Sequence, residues 1–167
     1  MASSYLLCLV AGMNAKTVYS NGYYTKKYNK FFSFMSVAIL VLVAGLRSGI
    51  GDTPTYIQGY KTDAPSTIAG SIKLLFSGKK DAGFYFYQGI LKSIVNNPNV
   101  FIFVTSLITI VLIFITYYKY SQLLELSVFL FITTGCYLVT MNGIRQYLAS
   151  AILFFCFPLI HERKWYI

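Results

Sequence analysis

The run Val100–Tyr118, VFIFVTSLITIVLIFITYY, decides the fold, because it contains no charged residue and Lys119 follows it directly. A helix needs roughly 20 apolar residues to cross the hydrocarbon core of a bilayer. The run therefore predicts a membrane-spanning helix. Other apolar runs lie on both sides of it, and together they predict about four spans: residues 31–46, 100–118, 123–141 and 147–160.

The composition of the whole chain supports a membrane protein. Hydrophobic residues make up 56% of the 167 residues and charged residues only 11%, whereas soluble domains carry about 25% charged residues. A soluble core of this size cannot hide so much apolar surface. The net charge of +9 does not predict nucleic acid as a partner, because the basic residues are scattered between apolar runs. Their positions fit the edges of a membrane, where basic side chains face anionic headgroups.

The first 30 residues form a separate N-terminal segment. Tyr5–Met13 is apolar but too short to span, and the residues after it are polar, aromatic and basic, with a turn signal at Asn21–Gly22. Residues 31–167 then form the transmembrane region. We predict an all-α, polytopic transmembrane protein with a short N-terminal apolar segment.

The one long loop, residues 47–99, lies between the first two predicted spans. It contains two candidate short helices, near Ser66–Phe76 and Phe84–Val95. The second has apolar residues at helical spacing, so it either lies flat on the membrane or packs against the spans.

Basic residues in the short segments set the orientation. Alternating spans bring three basic groups to one side, which we take as cytoplasmic: Lys26, Lys27 and Lys30; Lys119; and Arg163 and Lys164. The long loop is then extracytoplasmic. Glu125 is interpreted as an edge carboxylate that pairs with Lys119. Aromatic residues at the predicted edges are typical of interfacial belts: Tyr117, Tyr118, Tyr137, Tyr147 and Trp165.

Metal and cofactor sites are not predicted. The three cysteines (Cys8, Cys136 and Cys156) all lie in apolar runs, at spacings that fit no zinc or redox motif. The chain has one histidine and five acidic residues. The cysteines are interpreted as small hydrophobic residues.

Two segments place an arginine at the end of an apolar helix. They are GLRSGIGDTPTY, residues 45–56 with Arg47, and MNGIRQYLA, residues 141–149 with Arg145. Two intervening spans return the chain to the same side, so both arginines face one compartment. Two guanidinium forks on one face suit a diphosphate. The alternative is that each arginine only reaches for lipid headgroups.

Asp52 follows Arg47 in the first segment. A carboxylate there can act as a general base on a sugar hydroxyl, or it can orient Arg47. The alternative is a structural role at a helix start, with Thr53 as the N-cap and Pro54 in the first turn. Tyr56 would then share a helix face with Tyr60, where sugars, lipids or other helices can stack.

The second segment carries a polar stripe. At positions i, i+3, i+4 and i+7 of one helix, the stripe consists of Asn142, Arg145, Gln146 and Ala149. Such a stripe at the mouth of a span faces either a cavity or the membrane interface.

Together the two segments resemble the EpsG family of bacterial exopolysaccharide and capsule membrane proteins, which is similar to the Wzy-type polysaccharide polymerases. The resemblance runs from about Phe31 to the end of the chain. The matching motif positions are Arg47, Asp52, Tyr56, Asn142, Arg145 and Gln146. The C-terminal half of the family has no counterpart here, and Trp165–Ile167 reads as the start of another span. We therefore expect a fragment.

The resemblance implies a multi-pass protein of the bacterial inner membrane that joins sugar repeat units carried on a polyprenyl diphosphate. Arg47 and Arg145 would hold the diphosphate leaving group, and Asp52 would deprotonate the acceptor hydroxyl. Substrate-binding contacts would come from Tyr56, Asn142 and Gln146. The implied partners are the bilayer, the lipid-linked oligosaccharide and other polysaccharide-synthesis membrane proteins.

Two other functions stay open beside a polymerase of the glycosyltransferase type. One is a transporter or flippase that moves the same lipid-linked sugar without chemistry. The other is a non-catalytic subunit of a polysaccharide synthase complex.

Overall fold

The computed structural model describes residues 1–20, 23–78 and 80–161. Most of them are helical, which confirms the all-α class. The elements are α1 Ala2–Met13, β1 Lys16–Ser20, β2 Tyr23–Lys27, α2 Lys30–Gly45, α3 Thr53–Thr62, α4 Ile68–Leu75, α5 Ala82–Ile94, α6 Pro98–Tyr120, α7 Leu124–Thr133, α8 Cys136–Asn142 and α9 Ile144–His161.

The N-terminal segment has a structure that the composition did not predict. Strands β1 and β2 form an antiparallel hairpin that pairs Lys16 with Lys27. Helix α1 packs along α2 and α7, and Ser4 Oγ donates to Ser36 O at 2.9 Å. The predicted Asn21–Gly22 turn lies outside the described residues, as do three C-terminal residues that the orientation and belt predictions used: Arg163, Lys164 and Trp165.

Helix length decides which elements can cross a bilayer alone. Among the described helices, α6 is the one that is long and apolar enough by itself, while α7 and α8 qualify together but are bent by 57°. Helices α1 and α2 and the Ile144–Phe157 part of α9 are apolar but shorter. At 1.5 Å per residue, α2 is about 24 Å long, against a hydrocarbon core of roughly 30 Å. Three of the four predicted spans therefore coincide with single helices, α2, α6 and α9, and the multi-pass arrangement stays a prediction.

The third predicted span, residues 123–141, is two helices instead of one. Gly135 has φ = 80°, a left-handed conformation that cannot continue a right-handed helix and that glycine adopts at little cost. Gly143 then separates α8 from α9. The predicted polar stripe is therefore divided, with Asn142 at the end of α8 and Arg145 in the first turn of α9.

The long loop contains three helices, α3, α4 and α5, of which α4 and α5 match the two predicted ones. Helix α5 packs against α4, and the approach is close because a Cβ at Gly89 would lie 2.0 Å from Ser71 Oγ. Phe84 and Leu91 of α5 pack onto a core cluster that includes Phe101 of α6. Of the two placements left open for this helix, packing against the spans is therefore the one observed.

Two predictions about single side chains were wrong. Glu125 pairs with Lys26 at 2.9 Å, not with Lys119, because the hairpin brings Lys26 to the start of α7. Tyr28 also donates to Glu125 Oε2 at 2.7 Å. Tyr137 does not lie at an interface: it is fully buried and donates to Leu40 O at 2.7 Å.

Candidate functional site

Arg47 lies just beyond the end of α2, and its guanidinium is buried, with 8% of the residue exposed. Its Nε donates to Thr53 Oγ1 at 2.9 Å. Its Nη1 donates to Ser106 Oγ at 2.9 Å and to Ala44 O, and its Nη2 donates to Met141 O at 3.2 Å. A buried charge is tolerated when its N–H groups are hydrogen-bonded, so this arginine joins α2, α3, α6 and α8.

These contacts differ from both arrangements expected for Arg47, which were binding a diphosphate and reaching for lipid headgroups. The guanidinium does not extend toward headgroups, and the residue is not among those that line the cavity described below. Burial lowers the pKa of the Arg47 side chain, but an arginine remains charged at neutral pH. The bond to Met141 brings the first arginine segment against the second, as span parity predicts.

A second contact between the two segments involves Gly51 and Asn142. Gly51 has φ = 58°, and a Cβ built on it would lie 1.6 Å from Asn142 Oδ1. Only a glycine allows both the left-handed backbone and this close approach. The contact places the loop just before Asp52 against the end of α8.

A cavity of about 330 Å³ lies at this end of the bundle. Three of the predicted site residues line it: Asp52, Tyr56 and Arg145. The remaining lining residues come from α3 and α5 and the turns that follow or precede them: Thr55, Gly59, Asp63, Phe84, Tyr85 and Gln88. The volume is within the range of about 300–1,000 Å³ that small-molecule sites occupy.

Arg145 is the half-exposed arginine of the pair. Its Nη1 lies 2.5 Å from Asp81 Oδ2, and 38% of the Arg145 side chain is exposed. Because a guanidinium has five N–H donors, the bond to Asp81 fixes its orientation and uses one of them. Asp81 lies at the N-cap of α5 in a left-handed conformation, φ = 64°.

Sequence reasoning missed Asp81. Its place before a helical run could have been recognised as a helix start, but the pairing with Arg145 spans 64 residues. No local spacing encodes such a pair.

Asp52 is exposed and occupies the N-cap position of α3, where its side chain makes no capping hydrogen bond. The structural alternative for this segment placed the cap at Thr53, and that placement is wrong. Thr53 is buried, and its hydroxyl donates to Ile50 O at 2.7 Å while accepting from Arg47. The carboxylate of Asp52 is thus not engaged in holding the helix start.

The two tyrosines of α3 have different environments. Tyr56 is half-buried at the cavity, with its ring edge-on to Phe84 at 6.1 Å. Tyr60 is 1% exposed and stacks on Phe101 at 4.7 Å, and its hydroxyl donates to Val95 O at 2.9 Å. Tyr60 therefore belongs to the core, and Tyr56 is the ring that a ligand can reach.

Asn142 and Gln146 are exposed at the same end of the bundle. They are outside the set of residues that line the cavity. Asn142 touches the Gly51 loop, and Gln146 Oε1 lies near Gly143, 3.3 Å from where a Cβ would be. The structure therefore groups Asp52, Tyr56 and Arg145 and leaves these two amides at one side.

The fold and this cavity define an α-helical protein with an apolar bundle and a charged cavity at one end. The EpsG family model matches residues 30–167. The chain belongs to the EpsG family, and it is thus a membrane protein related to exopolysaccharide biosynthesis. No curated protein matches the chain, and no solved structure matches it.

The Gly51–Asn142 contact yields a stability prediction. Gly51→Ala places a side chain at φ = 58°, which costs about 1–2 kcal/mol, and it forces Asn142 to turn away. We expect a lower midpoint of thermal unfolding in detergent. Gly49→Ala is the matched control, because a Cβ there meets no atom within 4 Å. Equal midpoints for the two variants would contradict the contact.

Proposed function

We propose that this protein joins oligosaccharide units carried on a polyprenyl diphosphate, as a polymerase of the glycosyltransferase type in exopolysaccharide or capsule synthesis. The observation that carries the proposal is that Asp52 and Arg145, 93 positions apart in numbering, line one cavity. A carboxylate and a half-exposed guanidinium are the groups that this reaction needs.

Arg145 is proposed to hold the diphosphate. A guanidinium matches phosphate oxygens through parallel N–H bonds and stays charged while the departing diphosphate gains negative charge. Asp81 holds the guanidinium at 2.5 Å, so the fork is oriented before the ligand arrives. Preorganised charge of this kind stabilises the leaving group without a reorganisation cost.

Asp52 is proposed to act as the general base. The acceptor hydroxyl gives its proton to the Asp52 carboxylate while its oxygen forms a bond to the anomeric carbon of the donor sugar. The bond from that carbon to the diphosphate oxygen breaks, and the polyprenyl diphosphate leaves with the electron pair beside Arg145. Tyr56 offers its ring to a sugar face, and the exposed amides of Asn142 and Gln146, outside the cavity lining, are proposed to bind a longer saccharide.

Arg47 was expected to contact the diphosphate as well. That contact stays a prediction and would require the release of its present hydrogen bonds. Its buried bonds to Thr53 and Met141 favour a positioning role, in which Arg47 holds the Asp52 loop against the end of α8. The chemistry would then rest on Asp52 and Arg145.

The proposed setting is the bacterial inner membrane, crossed several times, with the cavity on the outer face. The basic residues Lys26, Lys27 and Lys119 lie at the end of the bundle opposite Asp52, where Tyr118 donates to Tyr28 O at 3.3 Å. Basic segments favour the cytoplasmic side. The proposed partners are the lipid-linked oligosaccharide, the bilayer and other membrane proteins of the same synthesis.

The membrane arrangement predicts which positions a membrane-impermeant thiol reagent can label. In a chain whose native cysteines are replaced by serine, Ser48→Cys should react from outside intact cells. Lys27→Cys and Gln122→Cys should react only after the membrane is opened. Labelling of positions 27 and 48 from the same side would contradict the arrangement.

Arg145→Lys tests the diphosphate contact. Lysine keeps the charge but loses the planar fork, so we expect polymer yield in producing cells to fall about tenfold or more at unchanged protein level. Lys119→Arg, at the opposite end of the bundle, is the control for a change between the same two residue types. Polymer at the wild-type level from Arg145→Lys would mean that the fork does not bind the substrate.

Asp52→Asn tests the general base. Asparagine keeps the shape and is as good an N-cap as aspartate, so folding should be unchanged. Turnover should fall about 100-fold or more, while the lipid-linked substrate still binds. Normal turnover would exclude Asp52 as the general base. Loss of substrate binding together with turnover would mean that Asp52 orients a charged group instead. Substrate that binds but is moved across the membrane without being joined would indicate a flippase.

A further inference from the structure

Gln88 is a polar residue on the packed face of α5. Phe84 and Leu91 lie on the same face, four residues before and three residues after Gln88. Both pack onto the core cluster that contains Tyr60 of α3 and Phe101 of α6. Gln88 itself is 2% exposed. A glutamine at such a position has lost its water, so its amide needs another hydrogen-bond partner.

The carbonyl oxygen of that amide lacks a partner. In the described part of the chain, Gln88 Oε1 is the one buried side-chain oxygen or nitrogen without a hydrogen bond. Buried polar groups are nearly always paired, and an exception in a native structure commonly marks a functional site or a bound water. An apolar side chain of the same shape would fold as well or better, so packing alone does not account for glutamine.

Gln88 also lines the cavity that contains Asp52, Tyr56 and Arg145. An amide oxygen accepts hydrogen bonds and does not attract phosphate oxygens, which are acceptors themselves. Its natural ligand is a hydroxyl group, and the half-buried ring of Tyr56 in the same cavity suits a sugar face. The cavity therefore offers the Arg145 cation to an anionic part of a ligand. It offers the Gln88 acceptor and the Tyr56 ring to a hydroxylated part of the same ligand.

We propose that Gln88 Oε1 accepts a hydrogen bond from a sugar hydroxyl of the saccharide bound in this cavity, so that Gln88 recognises the sugar and Arg145 the diphosphate. The inference rests on the proposed function and adds a division of the site by ligand chemistry. A site built to bond a hydroxyl rejects analogues that lack it, because its polar group is then left buried and unpaired.

The test compares two probes on the purified protein in detergent. One is the lipid-linked oligosaccharide extracted from producing cells, and the other is the bare polyprenyl diphosphate of the same chain length. Gln88→Met keeps the length of the side chain and removes the acceptor. We expect it to bind the glycosylated lipid about tenfold more weakly, to bind the bare diphosphate as the wild type does, and to unfold at an equal or higher temperature.

Matched variants separate this outcome from a general defect. Gln58→Met, at an exposed position of α3 outside the cavity-lining set, should leave both affinities unchanged. Arg145→Lys should weaken both probes. Gln88→Leu is a second, shorter apolar replacement that should reproduce the loss seen with Gln88→Met.

Three results would overturn the inference. Unchanged affinity of both Gln88 variants for the glycosylated lipid would exclude the hydroxyl contact while leaving the proposed function intact. An equal loss for both probes would mean that Gln88 only shapes the cavity. Failure of the wild-type protein to bind either probe would reject the proposed function, and the inference with it.

Discussion

The arrangement of the site depends on the buried guanidinium of Arg47. A charge removed from water is stable only while its donors are satisfied, and the partners here are Thr53 at the start of α3, Ser106 in α6, and the main chain at the ends of α2 and α8. Displacing any of these elements would leave a buried N–H without an acceptor. The first arginine segment is therefore fixed against the second.

The cavity follows from that constraint. With Thr53 held by Arg47, Asp52 is left exposed at the N-cap of α3, and the close contact at Gly51 sets its distance from α8. Arg145 enters from α9 and is held by Asp81 at the N-cap of α5, the last helix of the loop. One arginine thus organises the helices, and the other is oriented toward a space that a ligand can enter.

The opposite end of the bundle has its own polar anchor. Tyr28 donates to Glu125 Oε2 and accepts from Leu124 N at 2.8 Å, while Lys26 pairs with the same carboxylate. Burial, with Glu125 as a second cause, raises the pKa of Tyr28 to about 12, which keeps the Tyr28 hydroxyl protonated over a wider pH range. These contacts hold the N-terminal hairpin against α7, at the end of the bundle opposite the charged cavity.

The sequence by itself determined the helical class, the positions of α2, α6 and α9, and the meeting of the two arginine segments at one end of the bundle, because apolar periodicity and span parity are local or additive properties of a chain. It also singled out Asp52, Tyr56 and Arg145. Only the tertiary structure decided which arginine is buried, that Asp81 holds the other, and that Gln88 has an unpaired oxygen beside them. Those properties depend on pairs such as Arg47 with Met141 and Arg145 with Asp81, which are distant in the chain and meet only when the helices pack.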